Sequence, residues 1–141
     1  MIWIIWLIIA LVVLIVIALI AYYNRFTVLN NRIDNSLSQI DVQLRKRADL
    51  VPNLVSTVKG YKNYEKSVLT EVTKARTSFM NASDFKGRMK AGNQMQAALK
   101  SIFAVAESYP DLKANQNFLQ LQTELASIED KVAYSRQYYN D

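Results

Sequence analysis

The chain of 141 residues has no cysteine and no histidine, and only three glycines and two prolines. Without cysteine there are no disulfides, no thiolate nucleophile and no zinc–thiolate site. Without histidine the commonest general base and transition-metal ligand are gone, and with them the Glu-x-x-His pairs that build di-iron centres in helical bundles. Any catalysis is left to carboxylates, lysines and hydroxyls, and none of these falls into a recognisable motif. The reading is therefore of a non-enzyme with no cofactor and no metal. The scarcity of glycine and proline, with no strand-like alternation, predicts an all-α fold.

What the chain does have is one long apolar block. Residues 2–23 carry no charge and are almost entirely Ile, Leu, Val and Ala with aromatic ends. At about 1.5 Å per residue such a helix spans roughly 33 Å, enough to cross a hydrocarbon core of about 30 Å. Trp3 and Trp6 at one end and Tyr22 and Tyr23 at the other fall where amphipathic rings settle at the two headgroup levels. A cleaved secretory signal needs a basic n-region, a shorter apolar stretch and small residues at a cleavage site, all of which are missing here. Residues 1–24 thus read as a retained anchor. Arg25 and Arg32 are the first charges after it, so the positive-inside bias puts the amino end outside and residues 25–141 in the cytoplasm.

That remainder is the size of one domain. Phe26, Leu29, Ile33, Leu37, Ile40, Leu44 and Ala48 recur at steps of three and four and define a helix running on from the anchor. Pro52 lacks a helical N–H and disfavours the α region at Val51, so the spacing predicts an end or kink near Leu50. A second stripe runs through Leu54, Val58, Tyr61, Val68, Val72, Ala75 and Phe79. The cluster Asn81–Asp84 offers N-caps for a third helix, weakened early by Gly87 and Gly92 and carrying Met95, Leu99, Ile102 and Phe103. Tyr109-Pro110-Asp111 closes it, and Leu112, Phe118, Leu121, Leu125, Ile128 and Val132 line a fourth. Short connections favour antiparallel neighbours, so the expected fold is an N-terminal transmembrane helix followed by an antiparallel up-and-down four-helix bundle.

In that arrangement the turns alternate in height above the bilayer. The segment Phe85–Lys90 returns toward the membrane, where Lys86, Arg88 and Lys90 are candidates for lipid headgroup contact. The chain end, Tyr138 to Asp141, also lies near lipid. The Val51-Pro52 and Tyr109-Pro110 turns are distal, and there Asp49, Asn53, Asp111, Asn115 and Gln116 form a candidate partner surface or a set of helix caps. Arg45-Lys46-Arg47 reads as a cationic last turn, and Asp34, Asp41 and Asp49 as a solvated face. The net charge of +5 suits an anionic membrane surface, whereas no nucleic-acid motif or large basic face is visible.

Three stretches resemble the LemA family of bacterial membrane proteins: Asn35 to Tyr61 (NSLSQIDVQLRKRADLVPNLVSTVKGY), Phe103 to Gln122 (FAVAESYPDLKANQNFLQLQ) and Ala133 to Asn140 (AYSRQYYN). The resemblance implies a single amino-terminal span in the bacterial inner membrane, a cytoplasmic antiparallel bundle and no established enzymatic activity. Some relatives are associated with magnetosome membranes, which suggests a scaffold or membrane-shaping role. Family members usually continue past the last of these motifs, whereas this sequence stops at Asp141. The partners expected are membrane lipids, further copies of the chain in a homo-oligomer, and a protein partner not identified by the sequence. The anchor has no Gly-x-x-x-Gly pair, so self-association is expected to come from the soluble helices. The alternative is a monomeric tethered adaptor that binds another protein through the distal loops.

Overall fold

The computed structural model describes residues 2–61 and 66–140; Asp141 lies outside the described residues. All regular structure among them is helical: α1 (Ile2–Lys59), α2 (Lys66–Asn81), α3 (Phe85–Ala106), the single turn α4 (Pro110–Lys113) and α5 (Gln116–Asn140). The fold is an apolar N-terminal helix that runs directly into a bundle.

The first half of α1 is long and apolar enough to cross a membrane. Every described residue from Ile2 to Asn35 is exposed, including Trp3, Trp6, Tyr22 and Tyr23. A core helix of a soluble protein would bury such a run, so this exposure fits a helix solvated by lipid. Packing begins at Ser36. From there α1 lays Ile40, Leu44, Ala48, Val51, Leu54 and Val58 into the core. α2 adds Leu69, Val72, Ala75 and Phe79, while α3 contributes Met95, Leu99 and Ile102 and α5 Phe118, Leu125 and Val132. These residues form one cluster. α1 packs chiefly on α5 and α2 chiefly on α3, and the rings of Phe103 and Phe118 meet edge to face at 5.7 Å, tying α3 to α5.

Polar contacts fix the directions. Arg76 of α2 reaches Ala48, Arg88 of α3 reaches Asp41, and Asn115, just before α5, reaches Tyr61. Thus α2 and α5 descend alongside a rising α1, and α3 rises with it.

Pro52 does not end the first helix: α1 continues through it to Lys59. Leu54 and Val58, read from the sequence as the start of a second helix, belong to α1, and its distal end is at Gly60 and Tyr61. The reason is local. Proline has no N–H to give to the carbonyl four residues back, that of Ala48, and an orphaned buried carbonyl is costly. Arg76 Nε donates to that oxygen at 2.9 Å. A side chain of α2 thereby supplies the hydrogen bond that Pro52 cannot make, and its guanidinium is a stronger donor than an amide.

The start of α3 falls where the cluster Asn81–Asp84 predicts it. Phe85–Lys90 forms the first turns of the helix, because Asp84 is extended and its side chain accepts the N–H of Gly87, a worthwhile N-cap. Gly92 has a packing role here. A Cβ there would lie 2.8 Å from Leu44 Cδ2 and 3.2 Å from Cδ1, so its lack of a side chain lets α3 approach α1. Leu44 is fully buried and has little room to move. Gly92→Val should therefore lower the stability of the bundle by about 1–3 kcal/mol in chemical unfolding, despite relief of the helix-propensity cost of glycine.

Candidate functional site

Three polar regions stand out: a layer inside the bundle, its distal end and its membrane-proximal corner. The layer centres on Arg47, only 2% exposed. The expected cationic last turn is not what this residue forms, since α1 runs well beyond it. Phe26, Ile33, Ile40, Arg47, Leu54 and Tyr61 follow one another at seven-residue steps, so Arg47 occupies a core position of a heptad seam. That spacing is the sequence signal that could have revealed its burial. Its Nη1 donates to Gln96 Oε1 over a long 3.5 Å. Gln96 Nε2 donates in turn to Glu129 Oε1, which also pairs with Lys100 Nζ at 3.2 Å. Beside them Arg136 Nη2 donates to Asn93 Oδ1 at 2.7 Å.

Burial pulls the Arg47 pKa below its ordinary value; Glu129 opposes the shift and Arg136 adds to it. A cation with a lowered folded-state pKa is penalised wherever it is charged, so the cost is present throughout acid and neutral pH and is relieved only in strong alkali. This layer links α1, α3 and α5 through Arg47, Gln96 and Glu129. Among the described residues, no three acidic side chains gather closely enough to hold a metal ion.

At the distal end an open groove of about 870 Å³ runs between the last turns of α1 and the start of α5. Asn53 and Asn115 line it, together with Tyr61, Asn117 and Gln120. Asn115 serves both helix ends: its Nδ2 donates to Tyr61 Oη at 2.9 Å, and its Oδ1 accepts the N–H of Phe118 at 3.0 Å. Asn115 is thus a cap, and Asn53 shares its groove. Asp49 lies about one turn lower, in a separate groove with Lys46, Glu124 and Lys131. Asp111 sits in α4 and Gln116 opens α5, both exposed and outside the groove. The structure therefore brings together Asn53 and Asn115 but not the whole expected set.

The basic segment is also divided. Arg88 turns inward, its Nε 2.6 Å from Asp41 Oδ1, and Asp41 holds Arg45 Nε at 3.0 Å as well. Lys86 and Lys90 remain exposed. Asp41 lies roughly 26 Å beyond Asn24 by the helical rise. The end of the bundle nearest the apolar half of α1 belongs to α5, whose Tyr134 and Tyr138 flank Arg32, Asn35 and Gln39.

The profile of the LemA family matches residues 36–141, the packed part of the chain. The chain belongs to the LemA family. Protein LemA of Metamycoplasma hominis is 29% identical over 111 residues, covering 78% of this chain and 51% of that protein. Magnetosome proteins MamQ 1 and MamQ 2 of Paramagnetospirillum magneticum are each 24% identical over 144 aligned positions, covering 84% of this chain and 53% of theirs. The chain spans about half the length of these relatives. Family membership agrees with the motifs, two of which hold the distal cap: Tyr61 ends one and Asn115 lies in another.

The buried arginine has a measurable consequence. Arg47→Met retains the length of the side chain and removes the charge, so it should leave the bundle as stable as before or more stable by about 1–4 kcal/mol in thermal or chemical unfolding. A large loss would mean that Arg47 contributes net stability through Gln96 and Glu129.

Proposed function

We propose that this LemA family member is a non-enzymatic, membrane-anchored helical scaffold that self-associates at the bacterial cell membrane and organises or shapes it. The carrying observation is the continuity of α1. One helix includes the apolar span and the whole first wall of the bundle, with no linker at which the bundle could swivel freely. Every copy in a membrane presents its bundle at the same height and in a restricted orientation. Confinement of this kind raises effective concentration, so contacts too weak to hold soluble domains together suffice to build rings or patches. The amino end lies outside and the bundle in the cytoplasm, in keeping with Arg25 and Arg32 just beyond the span. The names of the two magnetosome relatives support a role at membranes. The lack of histidine and cysteine favours a structural over a catalytic role.

The test is to extract the full-length protein gently and image it in detergent and in lipid. Ordered multimers or curved lipid-bearing particles are expected. Uniform monomers in both would contradict the scaffold and favour an adaptor that binds a protein partner through the distal groove at Asn53 and Asn115.

A further inference from the structure

Where α5 comes down beside α1, a pocket of about 200 Å³ opens between Arg32, Asn35 and Gln39 of α1 and Tyr134, Ser135 and Tyr138 of α5. Arg32 is the charged member of this lining, and among the described residues no carboxylate pairs with it. The groups around it are neutral amides and hydroxyls, each able to donate a hydrogen bond. Ser135 is the most informative of them. It is 5% exposed, it lines the pocket, and among the described residues its hydroxyl has no hydrogen-bond partner. A buried hydroxyl turned toward an unpaired cation and left without a protein acceptor suits an anionic oxygen brought in from outside.

The continuity of α1 sets where this pocket stands. Arg32 lies nine residues beyond Tyr23, about 13 Å by the helical rise. Cα–Cβ bonds in a helix tilt toward its amino end, which in α1 is the direction of the span, so a long cationic side chain here reaches back toward the headgroups. The surface between span and pocket is apolar: Phe26, Leu29 and Ile33 are 64%, 45% and 40% exposed. Phe26 and Ile33 continue the core seam of α1 below the level at which packing begins. On α5, Tyr134 and Tyr138 are exposed one turn apart, with ring centroids 5.4 Å from each other. Exposed tyrosines beside an apolar strip and a free cation have the composition of a membrane interface.

We infer that this pocket takes the headgroup of an anionic phospholipid, its phosphate against Arg32 and its remaining oxygens among Ser135, Gln39 and the two tyrosines. The inference rests on the membrane anchoring in the reading above and not on self-association. A lipid is the occupant that the position favours, because Phe26, Leu29 and Ile33 give it apolar cover on the way from the span, which a free anion in solution would not use. The charge selects among lipids. A headgroup of net negative charge that carries hydroxyls complements Arg32 and the surrounding donors, whereas a choline headgroup places a second cation beside Arg32 and has no hydroxyl to offer. A bound lipid would touch both helices, fastening the last turns of α5 to α1 and the foot of the bundle to the leaflet from which it emerges.

The test uses the full chain in mild detergent, offered phosphatidylglycerol or phosphatidylcholine at equal concentration, with bound lipid read by native mass spectrometry. The wild type should hold phosphatidylglycerol roughly fivefold more tightly than phosphatidylcholine. Arg32→Gln should abolish that preference, whereas Arg25→Gln, nearer the span but outside the lining, should leave it in place. Both positions are exposed, and an unchanged unfolding midpoint shows that the bundle is intact in each variant. Equal retention of the two lipids by the wild type would overturn the inference. So would equal losses from the two substitutions, which would mean diffuse surface charge, and so would displacement of phosphatidylglycerol by inorganic phosphate at the concentration of the lipid, which would assign the pocket to a free anion. Alkaline carbonate extraction of the protein from vesicles of the two lipids separates this result from the anchor. Protein that stays with the vesicles but shows no preference overturns the headgroup site alone, and protein that is released overturns the anchor and the site together.

Discussion

The hydrogen bond from Arg76 to the carbonyl of Ala48 is the contact on which the architecture depends. It lies where Pro52 removes a bond from the backbone ladder of α1. With the carbonyl satisfied, the helix that leaves the membrane does not stop halfway up the bundle but reaches Lys59, about 52 Å beyond Asn24 by the helical rise. The distal end is displaced with it. Tyr61 then meets Asn115, the α5 cap forms there, and α5 has the full height of the bundle in which to descend beside α1 toward Arg32. An interruption at Leu50 would shorten the longest wall of the core and separate Leu54 and Val58 from the seam they continue.

The same wall contains a cost. Arg47 interrupts an otherwise apolar heptad series, and its burial is only partly offset by Gln96 and the Glu129 beyond it. Apolar stripes alone allow neighbouring helices to slide by a turn at small cost, whereas a buried charge with one set of partners does not. Together with Gly92 against Leu44, which fixes how close α3 comes, the layer defines one register for α1, α3 and α5. For a module proposed to assemble by surface contacts, a single register matters because it fixes which side chains each outer face displays.

Much of this was legible in the sequence because it rests on local chemistry. The apolar block, the three- and four-residue spacing and the turn at Tyr109-Pro110 are properties of short segments, and the span, the all-helical fold and the last two helices follow from them. Pro52 was misleading because its remedy comes from Arg76, in another helix. The start of α3 is legible in the cluster Asn81–Asp84, because Asp84 binds the Gly87 N–H and the cap prevails over the two early glycines. The pairing of Arg88 with Asp41 is not legible, since the two lie 47 residues apart in different helices. The candidate distal surface was divided by the same displacement: with the turn at Gly60 in place of Val51-Pro52, Asp49 falls a turn or more below the cap that Asn115 forms. Function was least legible, because a bundle without histidine or cysteine displays its purpose only through surfaces, and surfaces become visible only when helices are placed side by side.

The account stands on Arg76 replacing the bond lost at Pro52, and a double-mutant cycle on the full chain tests it. Arg76→Met should destabilise the wild-type protein by about 1–3 kcal/mol, the cost of an orphaned buried carbonyl. In a Pro52→Ala background, where the backbone N–H of residue 52 can serve Ala48, the same substitution should cost less than about 0.5 kcal/mol. Equal losses in the two backgrounds would contradict it: Arg76 would then act through packing or charge alone, and the passage of α1 through Pro52 would need another cause.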